Sequence, residues 1–348
     1  MAGVMSEDFR VHPGSEKGSQ GPSDYVSREE IKALYRNHPG RILFAAVFTW
    51  GLILVSFWLW AKTSHVAALG VAFFVIATRQ HALNNLVHEA SHYNISRNKM
   101  LNDLISDILF AAPHLISTQG YKDKHLLHHA HLGNHRLDGE IKTRYLIRGR
   151  HFLRYTLASL TGLLALDVVR SYQPVMTSSQ GSRVRYVLLV CLTNGALFGY
   201  CFWLGIPFAY FYLWVLPLFT LTVYLAMLRV VAEHQPEEYA ELEAEDYEMD
   251  IKPPLTRTIP AGPIERFIFA PINFCYHNEH HYFPAVPFTQ LPKLHRLLKE
   301  RGYYQAHPEC LGTSYRAVLK KAVFPDRCLT VKFFMGRDQP RRDETEVS

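Results

Sequence analysis

Residues 186–228 read YVLLVCLTNGALFGYCFWLGIPFAYFYLWVLPLFTLTVYLAML, 43 consecutive positions without a charged side chain between Arg185 and Arg229. At about 1.5 Å per helical residue, this run has about twice the length one bilayer crossing needs. Gly205, Ile206 and Pro207 interrupt it near the middle, where proline removes a donor and glycine a restraint, so two antiparallel helices are predicted over 186–205 and 207–228. A second block, from Ile42 to Ala61, is uncharged for 20 residues. Only residues 62–65 separate it from an apolar stretch that begins at Val66. Carried through Arg79 and His81 to Val87, that stretch predicts a helix of about 33 Å, with the two cations snorkelling at its end and His88 emerging at the interface. The expected fold is therefore all-α and membrane-integral, with four transmembrane helices in two hairpins over about 42–61, 66–87, 186–205 and 207–228.

The chain has 348 residues, 48% of them hydrophobic and 20% charged, with a formal charge of +6, which excludes a disordered protein. Its mean hydropathy is close to zero, an average that hides the apolar blocks. Five cysteines with no CxxC pair exclude a disulfide scaffold, an iron–sulfur ligand set and an all-cysteine zinc site, whereas 19 histidines leave imidazole as the ligand type available. Of the 37 Lys and Arg, 36 lie in 1–41, 79–185 and from 229 onward, and the short turns hold only Lys62. The positive-inside rule then places both termini and the long central segment in the cytoplasm, as a helical cap on a multi-pass membrane protein. This bias explains the basic charge without nucleic acid.

Residues 1–27 are rich in Gly, Ser and Pro and read as a disordered tail, so we expect an N-terminal segment over 1–40, a membrane domain over 41–300 and a cytoplasmic C-terminal tail over 301–348. Leu104 to Ser117 and Phe152 to Val169 are too short or too charged for crossings and suit helices lying at the interface. The eight acids without a base in 236–250 read as a solvated surface. No internal repeat is evident.

Three compact histidine groups fall in the segments assigned to the cap: His88 and His92 in HEASH, His125, His128 and His129 in HLLHH, and His277, His280 and His281 in HNEHH. On a helix, positions i, i+3 and i+4 share a face, so each group aims two or three imidazoles one way. Eight imidazoles exceed the needs of a four-coordinate zinc, and a nitrogen-rich site with room for two metals and another ligand fits two irons activating dioxygen.

These boxes, with tails reading HLLHHAHLG and HNEHHYFP, resemble the HxxxH, HxxHH, HxxHH signature of integral-membrane fatty acid desaturases and their di-iron relatives, the hydroxylases and carotenoid ketolases among them. The resemblance covers residues 79 to about 298 and a four-span layout that the family shares. It implies two iron ions and dioxygen as co-substrate, with iron bound by His88, His92, His125, His128, His129, His277, His280 and His281. It adds His234, in RVVAEH, as a ninth ligand. One helical turn earlier, where stearoyl-type members carry an Asn that holds a metal-bound water, this chain has Val230. Three residues separate the histidines of the first box, which is nearer to sphingolipid-type and bacterial desaturases, and the third box opens on His277, not on the Gln of the front-end type.

The chemistry so implied is insertion of a C=C bond into a fatty acyl or similar aliphatic chain, the alternative being hydroxylation or ketolation of a lipid, carotenoid or small metabolite by the same ligands. No flavin, nicotinamide or iron–sulfur motif is present, so an external donor is implied, a ferredoxin or a b-type cytochrome with its reductase. His131 and His135, and Asn85 and Asn273 one turn before a box, are candidates for orienting ligands. The triplets at His12 and His38 lack the second Gly of a haem-domain HPGG. His88, Glu89 and His92 also spell HExxH, so an intramembrane zinc metalloprotease is a rival, although it leaves the other two boxes unused. A metal transporter would carry acids, bases or histidines inside its spans, and 186–228 has none of these.

Overall fold

The computed structural model describes residues 21–132, 138, 150–166, 180–234 and 256–323. The glycine-rich start of the tail, the His12 triplet, His135, the acidic run of 236–250, residues 167–169 of the second interfacial stretch and everything after 323 lie outside the described residues. Helix α1 is Arg28–Leu34, α2 Pro39–Thr63 and α3 Val66–Ser91. Next come α4, Lys99–Ser106, α5, Thr118–Ala130, α6, Arg150–Leu160, and α7, Gln180–Trp203. Helix α8, Tyr210–Glu233, is followed by α9, Pro263–Ile268, α10, His277–Tyr282, α11, Leu291–Glu300, α12, Tyr303–Ala306, and α13, Tyr315–Val323. No named strand occurs among the described residues.

Four helices are long and apolar enough to cross a membrane: α2, α3, Arg183–Trp203 within α7, and α8. They form the two expected hairpins. Pro39 opens α2 at a position where a missing N–H costs nothing, and Ser64, left-handed at φ 49°, ends it. Gly205 makes the second reversal at φ +77°, a conformation that favours a residue without Cβ. Leu43, Phe44 and Val47 on α2 and Leu188 and Leu192 on α7 are exposed, as lipid-facing positions are.

The structure corrects the end of the second span. Helix α3 continues four residues past Val87 to Ser91, so His88 lies inside its last turns and not beyond them. Arg79 and His81 do not snorkel either. Both are buried, and Arg79 donates to the Phe267 carbonyl at 2.5 Å with its guanidinium 3.8 Å from the Phe267 ring, while His81 Nε2 lies 2.9 Å from the Phe269 carbonyl. The segment around α9 folds back over α3, and its carbonyls replace the water that snorkelling would have sought.

A second correction concerns Leu104 to Ser117. After α4 the chain makes a π-helical turn over Asp107–Ala111 and a 3-10 turn over Ala112–His114, and Phe110, Ala111 and Ala112 are fully buried. Trp50 Nε1 donates to the Leu109 carbonyl and Asn194 Nδ2 to that of Ala112, so this stretch is inserted between the spans. Helix α6 has Leu153 and Leu157 exposed and Phe152 and Tyr155 packed on the apolar core that includes Met227 and Val231, the two-faced pattern of an interfacial helix.

The flanks of the expected membrane domain also pack against the end of α8. Ile31 and Leu34 of α1, Leu294 and Leu298 of α11, Tyr303 of α12 and Tyr315 of α13 share one apolar core with Met227 and Val231 at the end of α8.

Candidate metal centre

The end of α3, helices α5 and α10, and the end of α8 meet at one end of the bundle and bring all nine histidines together in two groups. In the first, a ring nitrogen from each of His88, His92, His125, His129 and His280 lies within 4.8 Å of the others. In the second, His128, His234 and His281 meet the same criterion, and His277 joins them with its Nε2 2.8 Å from that of His234 and 2.9 Å from that of His281.

Each position follows from local structure. His88 stands on α3 and His92 caps that helix, its backbone N–H on the Glu89 and Ala90 carbonyls. Ser117 caps α5 through the Gly120 N–H, which fixes the register of the second box. His234 ends α8, its N–H on the Val230 carbonyl at 3.0 Å and its Nδ1 3.3 Å from the same oxygen.

The nitrogens are spaced like ligands. In the first group, Nε2 of His125 lies 3.1 Å from that of His92 and 3.0 Å from that of His129, which is 3.1 Å from His280 Nε2. His234 and His281 are 3.2 Å apart in the second. A metal–nitrogen bond of about 2.1 Å puts cis nitrogens of an octahedron about 3.0 Å apart. Without a cation these contacts conflict. His234 Nδ1 faces a carbonyl, His128 Nδ1 faces Asp138 at 3.2 Å and the Glu233 carboxylate lies 3.4 Å from His277 Nδ1, so in these three rings the proton belongs on Nδ1 and the Nε2 lone pair points into the second group. Both ring nitrogens of His88 are buried without a hydrogen bond. A donor set of lone pairs at this spacing fits bound metal.

Burial first, and then the neighbouring imidazoles, hold His92, His129 and His281 well below the ordinary histidine range. His280 is lowered by burial, then by His125 and Arg229. Neutral rings are the form that ligates metal. The His88 ring is also packed by Phe274 at 4.5 Å and Tyr121 at 6.3 Å between centroids.

Other candidates sit elsewhere. His131 caps α5 and belongs to neither group. Asn85 donates to the Pro271 carbonyl and Asn273 to that of Phe288, so both brace loops and touch no ligand ring. Glu89 accepts the Phe288 N–H at 2.9 Å and its other oxygen is 3.7 Å from His88 Nδ1. That carboxylate is committed to the loop after the third box, and His88 and His92 share their group with three more imidazoles, which is not a two-histidine zinc site with a free base. The sequence reading missed Asp138 and Glu233. Glu233 adjoins His234 and could have drawn notice, whereas nothing in the ten-residue step from His128 marks Asp138.

Comparison with known proteins gives a consistent picture. The fatty acid desaturase family model matches residues 64–311. The sphingolipid delta(4)-desaturase DES1 of Drosophila melanogaster is 29% identical over 306 residues, 83% of this chain and 83% of that protein. The dihydrorhizobitoxine desaturase of Bradyrhizobium elkanii is 26% identical over 309 residues, 80% of this chain and 81% of its own length. The sphingolipid delta(4)-desaturase of Candida albicans is 26% identical over 270 residues, 74% of this chain and 68% of its own.

Proposed function

The chain belongs to the fatty acid desaturase family, a family of membrane oxidoreductases, and from that premise we propose that it is a dioxygen-dependent desaturase that holds two irons on nine imidazoles. His88, His92, His125, His129 and His280 hold one iron, and His128, His234, His277 and His281 hold the other. The observation that carries this reading is the convergence of Nε2 atoms at about 3 Å spacing, the spacing of neighbouring ligands around one metal ion. When bound, the irons supply oxidation of an unactivated C–H bond, which no side chain performs alone. The chain's own part is to hold the rings neutral and oriented and to exclude water, with Phe274 and Tyr121 against His88 and the third box buried beneath α11 and α12.

The substrate is the aliphatic chain of a membrane lipid, and the sphingolipid desaturases among the relatives make a long-chain base the first to try. Both termini and the metal centre face the cytoplasm, where the basic segments lie, around a membrane domain over 41–300 flanked by 1–40 and 301–348. Electrons come from a ferredoxin or a b-type cytochrome with its reductase.

The test is to purify the protein, measure iron, and incubate membranes with a reductase system and long-chain bases. About two irons per chain and a product about two mass units lighter are expected, the mass of the hydrogen removed. A product about sixteen units heavier would make the enzyme a hydroxylase, and a single zinc with activity abolished by Glu89→Gln would make it a protease.

A further inference from the structure

Four buried acids stand around the imidazoles, and one of them, Glu89, is committed to the Phe288 N–H. Glu279 is taken up by Thr258, Tyr304 and His295 on the side of α10 that faces α11 and α12. Asp138 and Glu233 do something else, since each meets Nδ1 of a histidine whose Nε2 belongs to the second group. Asp138 places its two oxygens 3.2 and 3.3 Å from His128 Nδ1 and is 4% exposed. Glu233 is fully buried, with Oε2 3.4 Å from His277 Nδ1. Its Oε1 accepts the Tyr315 hydroxyl at 2.5 Å, and Arg229 Nη1 lies 3.4 Å from Oε2. Tyr315 is itself buried, stacked on Phe269, and stands on α13 beyond residue 311, where the family match ends.

We propose that Asp138 and Glu233 are positioning residues for the second histidine group, and that Tyr315, Glu233 and His277 form a relay through which helix α13 sets a ligand ring. The proposal rests on the reading of the nine histidines as iron ligands. A carboxylate on Nδ1 fixes the proton there, leaves the Nε2 lone pair for the metal, stops the ring from turning and raises its basicity. The Tyr315 hydroxyl holds Oε1, which turns Oε2 toward His277. A histidine without this support can rotate out of the ligand set. The second metal position therefore depends on a tyrosine 34 residues beyond His281 (315 − 281), outside all three boxes.

The test uses the full-length protein, purified with iron in detergent, as Asp138→Asn, Glu233→Gln and Tyr315→Phe, with Asp138→Glu and Glu233→Asp as rescue variants and Glu30→Gln as a distant control. Iron release to a chelator is followed over time, and protein loaded with Mössbauer-active iron reports each position separately. Asp138→Asn and Glu233→Gln are expected to release one of the two irons about 10–100-fold faster and to change one Mössbauer doublet, the other iron keeping its wild-type rate. Tyr315→Phe accelerates the same iron by a smaller factor, and the rescue variants recover part of the loss.

Equal acceleration of both irons would mean general weakening of the fold and would overturn the proposal, as would wild-type release in all three variants. A variant that does not fold is replaced by its rescue partner, in which a shifted doublet without faster release still supports positioning and an unshifted one opposes it. A wild type that holds no pair of irons overturns the nine-histidine reading, and this assignment with it.

Discussion

The two histidine groups are assembled from overlapping parts but anchored differently. The first draws on α3, α5 and α10, and its His88 ring is wedged among aromatic neighbours within the helix bundle. The second draws on α5, α8 and α10, and two of its rings, His128 and His277, lean on carboxylates, one of them held from α13. Helices α5 and α10 serve both groups. Successive residues of a helix turn by about 100°, so positions i+3 and i+4 fall on opposite sides of i and diverge by that same angle. His125 and His129 accordingly enter the first group while His128 enters the second, and on α10 His277 and His281 enter the second while His280 enters the first. The second and third boxes are thus each divided between the two groups, whereas His88 and His92 of the first stay together, and a single substitution tests one group without removing the helix.

The largest effects are expected from the ligands themselves. His92→Ala should remove the first iron and His281→Ala the second, each leaving about one iron per chain and lowering turnover at least about 100-fold. Iron content by elemental analysis and product formation check both. Loss of both irons from either variant would show that the groups act as one unit.

Next comes Glu279→Gln. This acid lies on the helix that serves both groups, and it accepts from Thr258 and Tyr304 and meets His295 Nδ1 at 2.6 Å. An amide cannot satisfy that set of donors, so a loss of about 2–4 kcal/mol is expected. A thermal melt reads the loss, and iron retention should fall at both positions together, the opposite of the selective effect expected at Asp138 and Glu233.

Much of this was legible in the sequence, and what was not has a common cause. The uncharged runs gave the four spans because a bilayer imposes length and polarity on a helix with no help from its neighbours. The three boxes could be read for the same kind of reason, since the i, i+3, i+4 spacing is local. The end of α3 was misread because the partners of Arg79 and His81 lie 188 residues away, at Phe267 and Phe269. The stretch of 107–114 looked interfacial because nothing in it announces that Trp50 and Asn194 will take its carbonyls. Asp138 and Tyr315 escaped likewise, for an acid in a loop and a tyrosine on a short helix carry no periodicity. What a residue needs from its own helix is visible in sequence, and what it needs from a distant segment is not.

The smallest effects concern pH, and they separate the centre from the ion pair between α1 and Arg301. Burial lowers His92, His129, His280 and His281 below the ordinary value of 6.5, so an unfolded chain binds protons at a pH where the folded one does not. Stability from this source is complete above that value and is lost as the pH falls below it. Iron-free protein should therefore melt progressively lower between about pH 6.5 and 5, and iron-loaded protein should resist that shift because the metal competes with the proton. Helix α1 gives the contrast. Glu30 pairs with Arg301, which holds its carboxyl down to about 2, so this pair stays intact throughout that window and fails only as the pH drops through about 2. The pair is exposed, and solvent screens it. Glu30→Gln should accordingly leave the melting curve at neutral pH, and its decline below pH 6.5, unchanged within the error of a scan. A Glu30→Gln protein that lost the acid sensitivity would assign it to the Glu30–Arg301 pair and away from the imidazoles.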